Sequence, residues 1–153
     1  MSESTTPTRP MAPAPSNRKA WVLPPEMARV GPLVRELAGH LEGRGVLGRP
    51  LFIAQLVAEE LVTNTIRHAG LDPHCDTIEL RLEVDATTIR ITVEDAGRPF
   101  DPSKSERSPD PAIPLEKRAL GGHGLHLVNT LSSELRYERT GNRNVLSASI
   151  ARG

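Results

Sequence analysis

Cysteine is almost absent from this chain of 153 residues, with Cys75 its only example. A single thiol excludes an internal disulfide and a thiolate-built metal site. Aromatics are nearly as scarce, at one Trp, one Tyr and two Phe, which leaves little from which to build a base-stacking platform. Charge of neither sign is in excess. The chain carries 19 Lys+Arg against 19 Asp+Glu, so nothing points to direct nucleic-acid binding. No apolar run approaches the roughly 18 residues of a membrane span. The N-terminus also lacks the apolar core of a secretory signal. The expectation is a reducing, cytoplasmic setting without membrane association.

What is present is enough chain for one domain with a real core. Residues 1–17 are rich in Ser, Thr, Pro and Ala without apolar periodicity, the composition of a disordered tail; residues 18–153 form the expected domain. Lys19 to Leu23 reads as a short strand stopped by Pro24-Pro25. From Glu26 to about Glu42, Met27, Val30, Val34, Leu37, Ala38 and Leu41 recur at helical spacing, and Gly43-Arg44-Gly45 closes that helix. Pro50 sits at the start of a second helix, where its missing N–H costs little. Ile78, Leu80, Leu82 and Val84 alternate with charged residues, as do Ile89, Ile91 and Val93 after a turn at Asp85-Ala86-Thr87. That is an antiparallel hairpin with one buried face. Leu135–Arg139 and Asn144–Ile150, flanking Thr140–Arg143, read as another. The order of elements predicts an α+β fold, an antiparallel sheet covered on one face by helices.

The second helix carries a polar ridge. Glu60, Asn64 and His68 stand at i, i+4 and i+8 and therefore line up. Leu51, Ala54, Ala58, Leu61, Val62, Thr65, Ile66 and Ala69 form the broad core side, with Ile53, Leu56 and Val57 opposite in the first half. Beyond them the opposite side turns polar, with Glu60, Thr63, Asn64, Arg67 and His68, as though bordering a cavity or water. A carboxylate and an amide oxygen one turn apart suit a hard cation such as Mg²⁺. Taken alone, the ridge reads first as a solvated helix face with a Glu60–Asn64 hydrogen bond, because polar helix residues are mostly exposed.

Two glycine signals follow. Asp95 ends a strand and Gly97 comes two residues later. A carboxylate there can accept from an exocyclic amine, the glycine can admit a flat ring, and Phe100 can pack beneath it. An ordinary Asp-x-Gly turn explains the same residues. Gly121-Gly122-His123-Gly124 precedes an apolar helical face that begins at Leu125, and exposed N–H groups at a helix start favour phosphate. A flexible glycine hinge is the alternative. Between the two signals runs a long, proline-punctuated loop, 97–122, which reads as a lid over a ligand, with an ordinary flexible insertion as the alternative.

Together these segments resemble the GHKL ATP-binding superfamily, and within it the bacterial anti-sigma-factor serine kinases. The resemblance spans about residues 19–152. Glu60 to Asn64 matches the N-box, Asp95-Ala96-Gly97 the adenine box, and Gly122-His123-Gly124-Leu125 the phosphate-binding glycine box. Pro114–Arg118 and the closing Gly141–Leu146 add to the subfamily match. It implies a Bergerat-type two-layer sandwich, a mostly antiparallel sheet covered on one face by three helices, with ATP and Mg²⁺ as cofactors. It further implies that Asn64 coordinates the metal and that Asp95, with Gly97 and Phe100, receives adenine. Gly121, Gly122, His123, Gly124 and Leu125 would wrap the phosphates, within reach of Arg67 and His68. Glu60 matches the general base for a substrate serine, and Arg118 a lid cation that steadies the transferring phosphate. The implied partners are an anti-sigma antagonist bearing the acceptor serine, a sigma factor, and a second copy of the chain. An ATP-binding switch module without phosphotransfer is a second reading of the same residues, and a small regulatory α+β domain whose glycines only shape loops is a third.

Overall fold

The computed structural model describes residues 17–101 and 124–153, with the side chains of 124–127 left aside. Strand β1 (Arg18–Leu23) is followed by a 3-10 turn, Met27–Arg29, that leads into helix α1 (Val30–Gly43). Helix α2 (Gly48–His68) comes next, then strands β2 (Ile78–Val84) and β3 (Thr88–Asp95). Helix α3 (Gly124–Leu131) precedes the closing strands β4 (Glu134–Thr140) and β5 (Arg143–Ala151). The five strands form one sheet in the order β1-β2-β3-β5-β4, every neighbour antiparallel. The α+β, two-layer architecture expected from the sequence is the one observed.

Alternation builds the sheet. Along β2, Ile78, Leu80, Leu82 and Val84 are buried while Glu79, Arg81 and Glu83 are only half covered. The register places Leu80 beside Val93 and Val93 beside Leu146, so the apolar sides of three strands coincide. The polar side carries a ladder of its own. Arg81 Nη1 donates to Glu79 and Glu94 at 2.6 Å each, and Arg143 Nε reaches the other Glu94 oxygen at 2.9 Å. These ion pairs hold the Glu94 carboxyl below its usual range against the opposing effect of burial, the Arg81 hydrogen bond being the largest cause.

Turn chemistry closes both hairpins. Asp85 Oδ1 accepts the N–H groups of Thr87 and Thr88 at 2.8 and 2.7 Å, a side-chain mimic of a backbone turn. Gly141, at φ 61°, supplies the positive φ that a two-residue hairpin needs between paired Thr140 and Arg143.

Helix α1 buries Val30, Leu33, Leu37, Ala38 and Leu41. Its end is a Schellman motif: Val46 N–H donates to Leu41 O, Gly45 N–H donates to Glu42 O, and Gly45 sits at φ 82°. Leu41 and Val46 are both buried, the apolar contact that accompanies this cap. The first turn departs from expectation. Met27, placed by sequence on the apolar stripe, is 48% exposed, because the chain enters as a 3-10 turn whose tighter winding moves it off the stripe.

Helix α2 is the centre of the helical layer, touching α1, α3, β3 and β5. Ile53 and Val57, expected opposite the core side, are buried along with Ala54, Ala58, Leu61 and Val62. A helix flanked by two others and a sheet buries more than one face, which a single-face reading does not anticipate. The burial continues through Thr63, Asn64 and Thr65, so the expected polar side is inside the fold at this level.

Candidate functional site

Three buried polar residues in succession on α2 set up the site. Thr63 donates its hydroxyl to Glu59 O at 2.8 Å and also lies 3.3 Å from Glu60 O. Thr65 donates to Leu61 O at 2.9 Å. Both hydroxyls are thus satisfied by their own helix. Asn64 is not. It is 4% exposed, and its buried Nδ2 has no hydrogen-bond partner among the described residues. A buried amide left this way costs about 1–3 kcal/mol.

One turn earlier, Glu60 is half-buried. Burial pushes its carboxyl above the ordinary value, the Glu59 charge adds to the rise, and Arg67 opposes it. A carboxylate raised in this way is a better proton acceptor, the direction a general base at neutral pH needs. At the helix end Arg67 and His68 are exposed. The His68 ring lies 6.3 Å from Phe100, and Phe100 lies 6.0 Å from Tyr137. These rings bridge α2 to β4 through the segment after β3.

That segment is fastened tightly to the end of α2. Arg98 N–H donates to Ala69 O at 2.9 Å, and Arg98 Nε to His68 O at 2.8 Å. Gly97 sits so close that a β-carbon there would lie 2.3 Å from Ala69 O. Its φ is not positive, so space rather than backbone conformation calls for glycine. This is a reason for glycine additional to the approach of a ligand ring.

Asp95 stands at the end of β3, 1% exposed. Its Oδ1 accepts from Gly97 N–H at 2.8 Å and Asn144 Nδ2 at 3.0 Å. Its Oδ2 has no partner among the described residues. The structure thus brings the end of α2, at His68 and Ala69, against Gly97, Arg98 and Phe100 after β3, with Glu60, Asn64 and Arg67 earlier on the same helix. Gly124 and Leu125 open α3, whose backbone packs beside α2. Arg118, Gly121, Gly122 and His123, the remaining predicted site residues, lie outside the described residues.

Asn144, Arg139 and Tyr137 join this site although the sequence reading gave them no role. All three meet at Asn144 Oδ1. One signal pointed to them. In the inward register of β5, Asn144 precedes Leu146, Ala148 and Ile150, a lone amide in an apolar series.

The profile of the histidine kinase-like ATPase domain matches residues 23–150. The chain belongs to the histidine kinase-like ATPase family. Among curated relatives of this family member, the serine/threonine-protein kinase BtrW of Bordetella bronchiseptica is 31% identical over 96 residues, 63% of this chain and 67% of that protein. The serine-protein kinase RsbW of Bacillus velezensis is 25% identical over 119 residues, 76% of this chain and 74% of its own. Among solved structures, the RsbU and RsbW domains of Rv1364c from Mycobacterium tuberculosis align over 90% of this chain and 33% of theirs, with TM-score 0.61 at 16% identity. The catalytic domain of histidine kinase ThkA aligns with TM-score 0.50 at 17% identity, over 88% of this chain and 97% of that one. At those identities the structural likeness speaks for the fold.

The family implies bound ATP and a divalent metal, and the donor set can be tested against them. The orphaned Asn64 amide fits. Oxygen and nitrogen exchange by a half-turn of the side-chain amide, presenting Oδ1, an oxygen ligand of the kind Mg²⁺ takes. Among the described residues no group of three or more His, Cys, Asp or Glu is placed to hold a metal. Phosphate oxygens and water are the usual further ligands of Mg²⁺ in nucleotide sites.

Proposed function

We propose that this family member is an ATP-dependent protein-serine kinase that also acts as an anti-sigma factor. It phosphorylates an anti-sigma antagonist on serine and binds the sigma factor that the antagonist would release. The observation that carries the reading is the pairing on one turn of α2: Glu60 with its raised carboxyl, and Asn64 with a buried Nδ2 that has no partner among the described residues. Relatives named as serine-protein kinases support the acceptor class. Among the described residues no helix is long and apolar enough to cross a membrane; the site of action that this reading carries is cytoplasmic. A homodimer is the assembly this reading carries.

Asp95 would receive the adenine amine at its open oxygen. Gly97 and Phe100 would shape the base site, and His68 and Arg67 would stand at its phosphate side. Gly121, Gly122, His123, Gly124 and Leu125 would enclose the phosphates. Asn64 would hold Mg²⁺, which when bound neutralises charge on the transferring phosphoryl group. Glu60 accepts the serine hydroxyl proton as the hydroxyl oxygen bonds to the γ-phosphorus. The bond from that phosphorus to the β,γ-bridging oxygen breaks, and ADP leaves. Arg118 would steady the charge on the group in flight.

The test is a phosphotransfer assay with the full chain, Mg-ATP and proteins captured from cells, read by mass spectrometry for phosphoserine. Wild type should modify a captured antagonist. Glu60→Gln should retain Mg-ATP by calorimetry while transfer falls on the order of 10²–10⁴-fold. Binding of ATP by wild type with no transfer to any captured protein would instead identify a nucleotide-dependent switch.

A further inference from the structure

Asn144 is completely enclosed and completely satisfied. It is 0% exposed. Its Nδ2 donates to Asp95 Oδ1 at 3.0 Å and to Arg98 O at 2.9 Å. Its Oδ1 accepts from Tyr137 OH at 2.6 Å and from Arg139 Nη1 at 3.1 Å. An amide offers two donors and two acceptor positions, and all four are taken. The flanking groups leave one orientation possible. Arg139 can only donate, while Asp95 and the Arg98 carbonyl accept, so a flipped amide would set donor against donor and acceptor against acceptor.

The consequence falls on Asp95. A carboxyl free to rotate would offer either oxygen to a ligand in several directions. Here Oδ1 is held by Gly97 N–H and Asn144, and the oxygens are no longer equivalent. Arg139 Nη1 also donates to Gly97 O at 2.8 Å, which ties the β4–β5 hairpin to the same backbone segment. Tyr137 adds its ring against Phe100. One residue of β5 thereby sets the carboxyl, the following loop and the ring below it in a common frame.

We propose that Asn144 is a positioning residue for base selection, fixing Asp95 so that Oδ2 alone is offered to an N–H donor of the base. This rests on the base-binding reading of Asp95. A purine bearing an exocyclic amine meets that oxygen as a donor. A purine with a carbonyl at the same place meets it acceptor to acceptor, and a buried site rejects such a mismatch strongly. Asn144 works through Asp95 and touches no ligand itself.

Calorimetric titration of the full chain with Mg-ATP and Mg-ITP tests it, ITP differing from ATP in carrying a carbonyl for the amine. Wild type should favour ATP on the order of a hundredfold. Asn144→Asp keeps the side-chain shape and the acceptor for Tyr137 and Arg139 but removes the donor toward Asp95. The ATP-to-ITP ratio should fall by about tenfold, chiefly through weaker ATP binding. A residue that merely supported the fold would weaken both nucleotides equally, and a folded Asn144→Asp with an unchanged ratio overturns the proposal. Should circular dichroism show Asn144→Asp unfolded, Tyr137→Phe decides, since it releases one lock on the amide and leaves Asn144 in place. Its ratio should fall about threefold, and no change counts against Asn144. A wild type that binds the two nucleotides alike, or neither, removes the base reading of Asp95 and this proposal together. Discrimination by wild type that survives both variants removes only the role of Asn144.

Discussion

Replacing Gly97 by alanine should destabilise this domain more than most single substitutions, and the structure shows where the cost arises. The added β-carbon would lie 2.3 Å from Ala69 O, 2.8 Å from Ala69 Cβ and 2.8 Å from Asp95 Oδ1. The first obstacle is backbone at the end of α2, so no flexible side-chain tip can yield. Moving the loop away stretches the Arg98 N–Ala69 O hydrogen bond, now 2.9 Å, and the Arg139 link to Gly97 O, now 2.8 Å. Overpacking and one lost hydrogen bond together give about 2–4 kcal/mol. For a domain of this size that is a fall in Tm of roughly 6–20 °C.

Urea and thermal denaturation followed by circular dichroism would measure it. Gly39→Ala is the matched control: Gly39 lies within α1, with nothing within 4 Å of an added β-carbon. It should stabilise by about 0.5–1 kcal/mol, the ordinary helix penalty of glycine. The partner substitution Ala69→Gly in the Gly97→Ala background should restore less than half of the loss, because the carbonyl obstacle stays. A Gly97→Ala loss below about 0.5 kcal/mol would refute the close approach. Full rescue by Ala69→Gly would show that the methyl group, not the carbonyl, limits the space.

Asn64→Ala should remove the magnesium dependence of nucleotide affinity while leaving urea stability within about 1 kcal/mol of wild type, since it deletes a buried Nδ2 without a partner among the described residues along with its packing; unchanged affinity in calorimetry with and without Mg²⁺ would sink the metal assignment. Glu60 predicts opposite pH trends for activity and stability. Its folded pKa is raised, so between the unfolded and folded values the native state binds more protons. Its contribution to stability is full below the unfolded pKa and is lost as pH rises through the folded one. Transfer should rise over the same interval as the base form appears. Glu60→Gln should flatten that part of the urea-stability profile and abolish the rise in transfer, and a profile identical to wild type would contradict the assignment.

Much of this fold was legible because the relevant forces are local. Alternation at 78–84 and 89–93 marks strands with one buried face, Asp85 marks the turn between them by local chemistry, and Gly141 marks that of the later hairpin. Glu60 and Asn64 could be placed on one ridge from spacing alone. Other features depend on contacts that local pattern does not encode. The chain leaves β3, passes through α3 to the edge strand β4, and returns as β5 between β4 and β3. That insertion pairs Asp95 with Asn144, 49 positions along the chain, and no window of sequence reports such a pairing. The burial of Ile53 and Val57 likewise follows from α1 and α3 flanking α2, not from the helix pattern.

Asn64 shows where the two kinds of information meet. Its spacing from Glu60 is local, yet the same spacing serves a solvated helix face equally well. Burial decides against that face, because water is not available to pair the amide. Self-satisfaction within the helix is the remaining ordinary explanation, and the neighbours show what it looks like: Thr63 and Thr65 both donate to carbonyls three or four residues back. The carbonyl one turn before Asn64 belongs to Glu60, and it already faces the Thr63 hydroxyl. Among the described residues the Asn64 Nδ2 is thus left without a partner. A helix that satisfies two of three consecutive buried polar residues and leaves the middle one's Nδ2 without a partner among the described residues, one turn from a carboxyl raised by burial, is the arrangement on which the proposed roles of Asn64 and Glu60 rest.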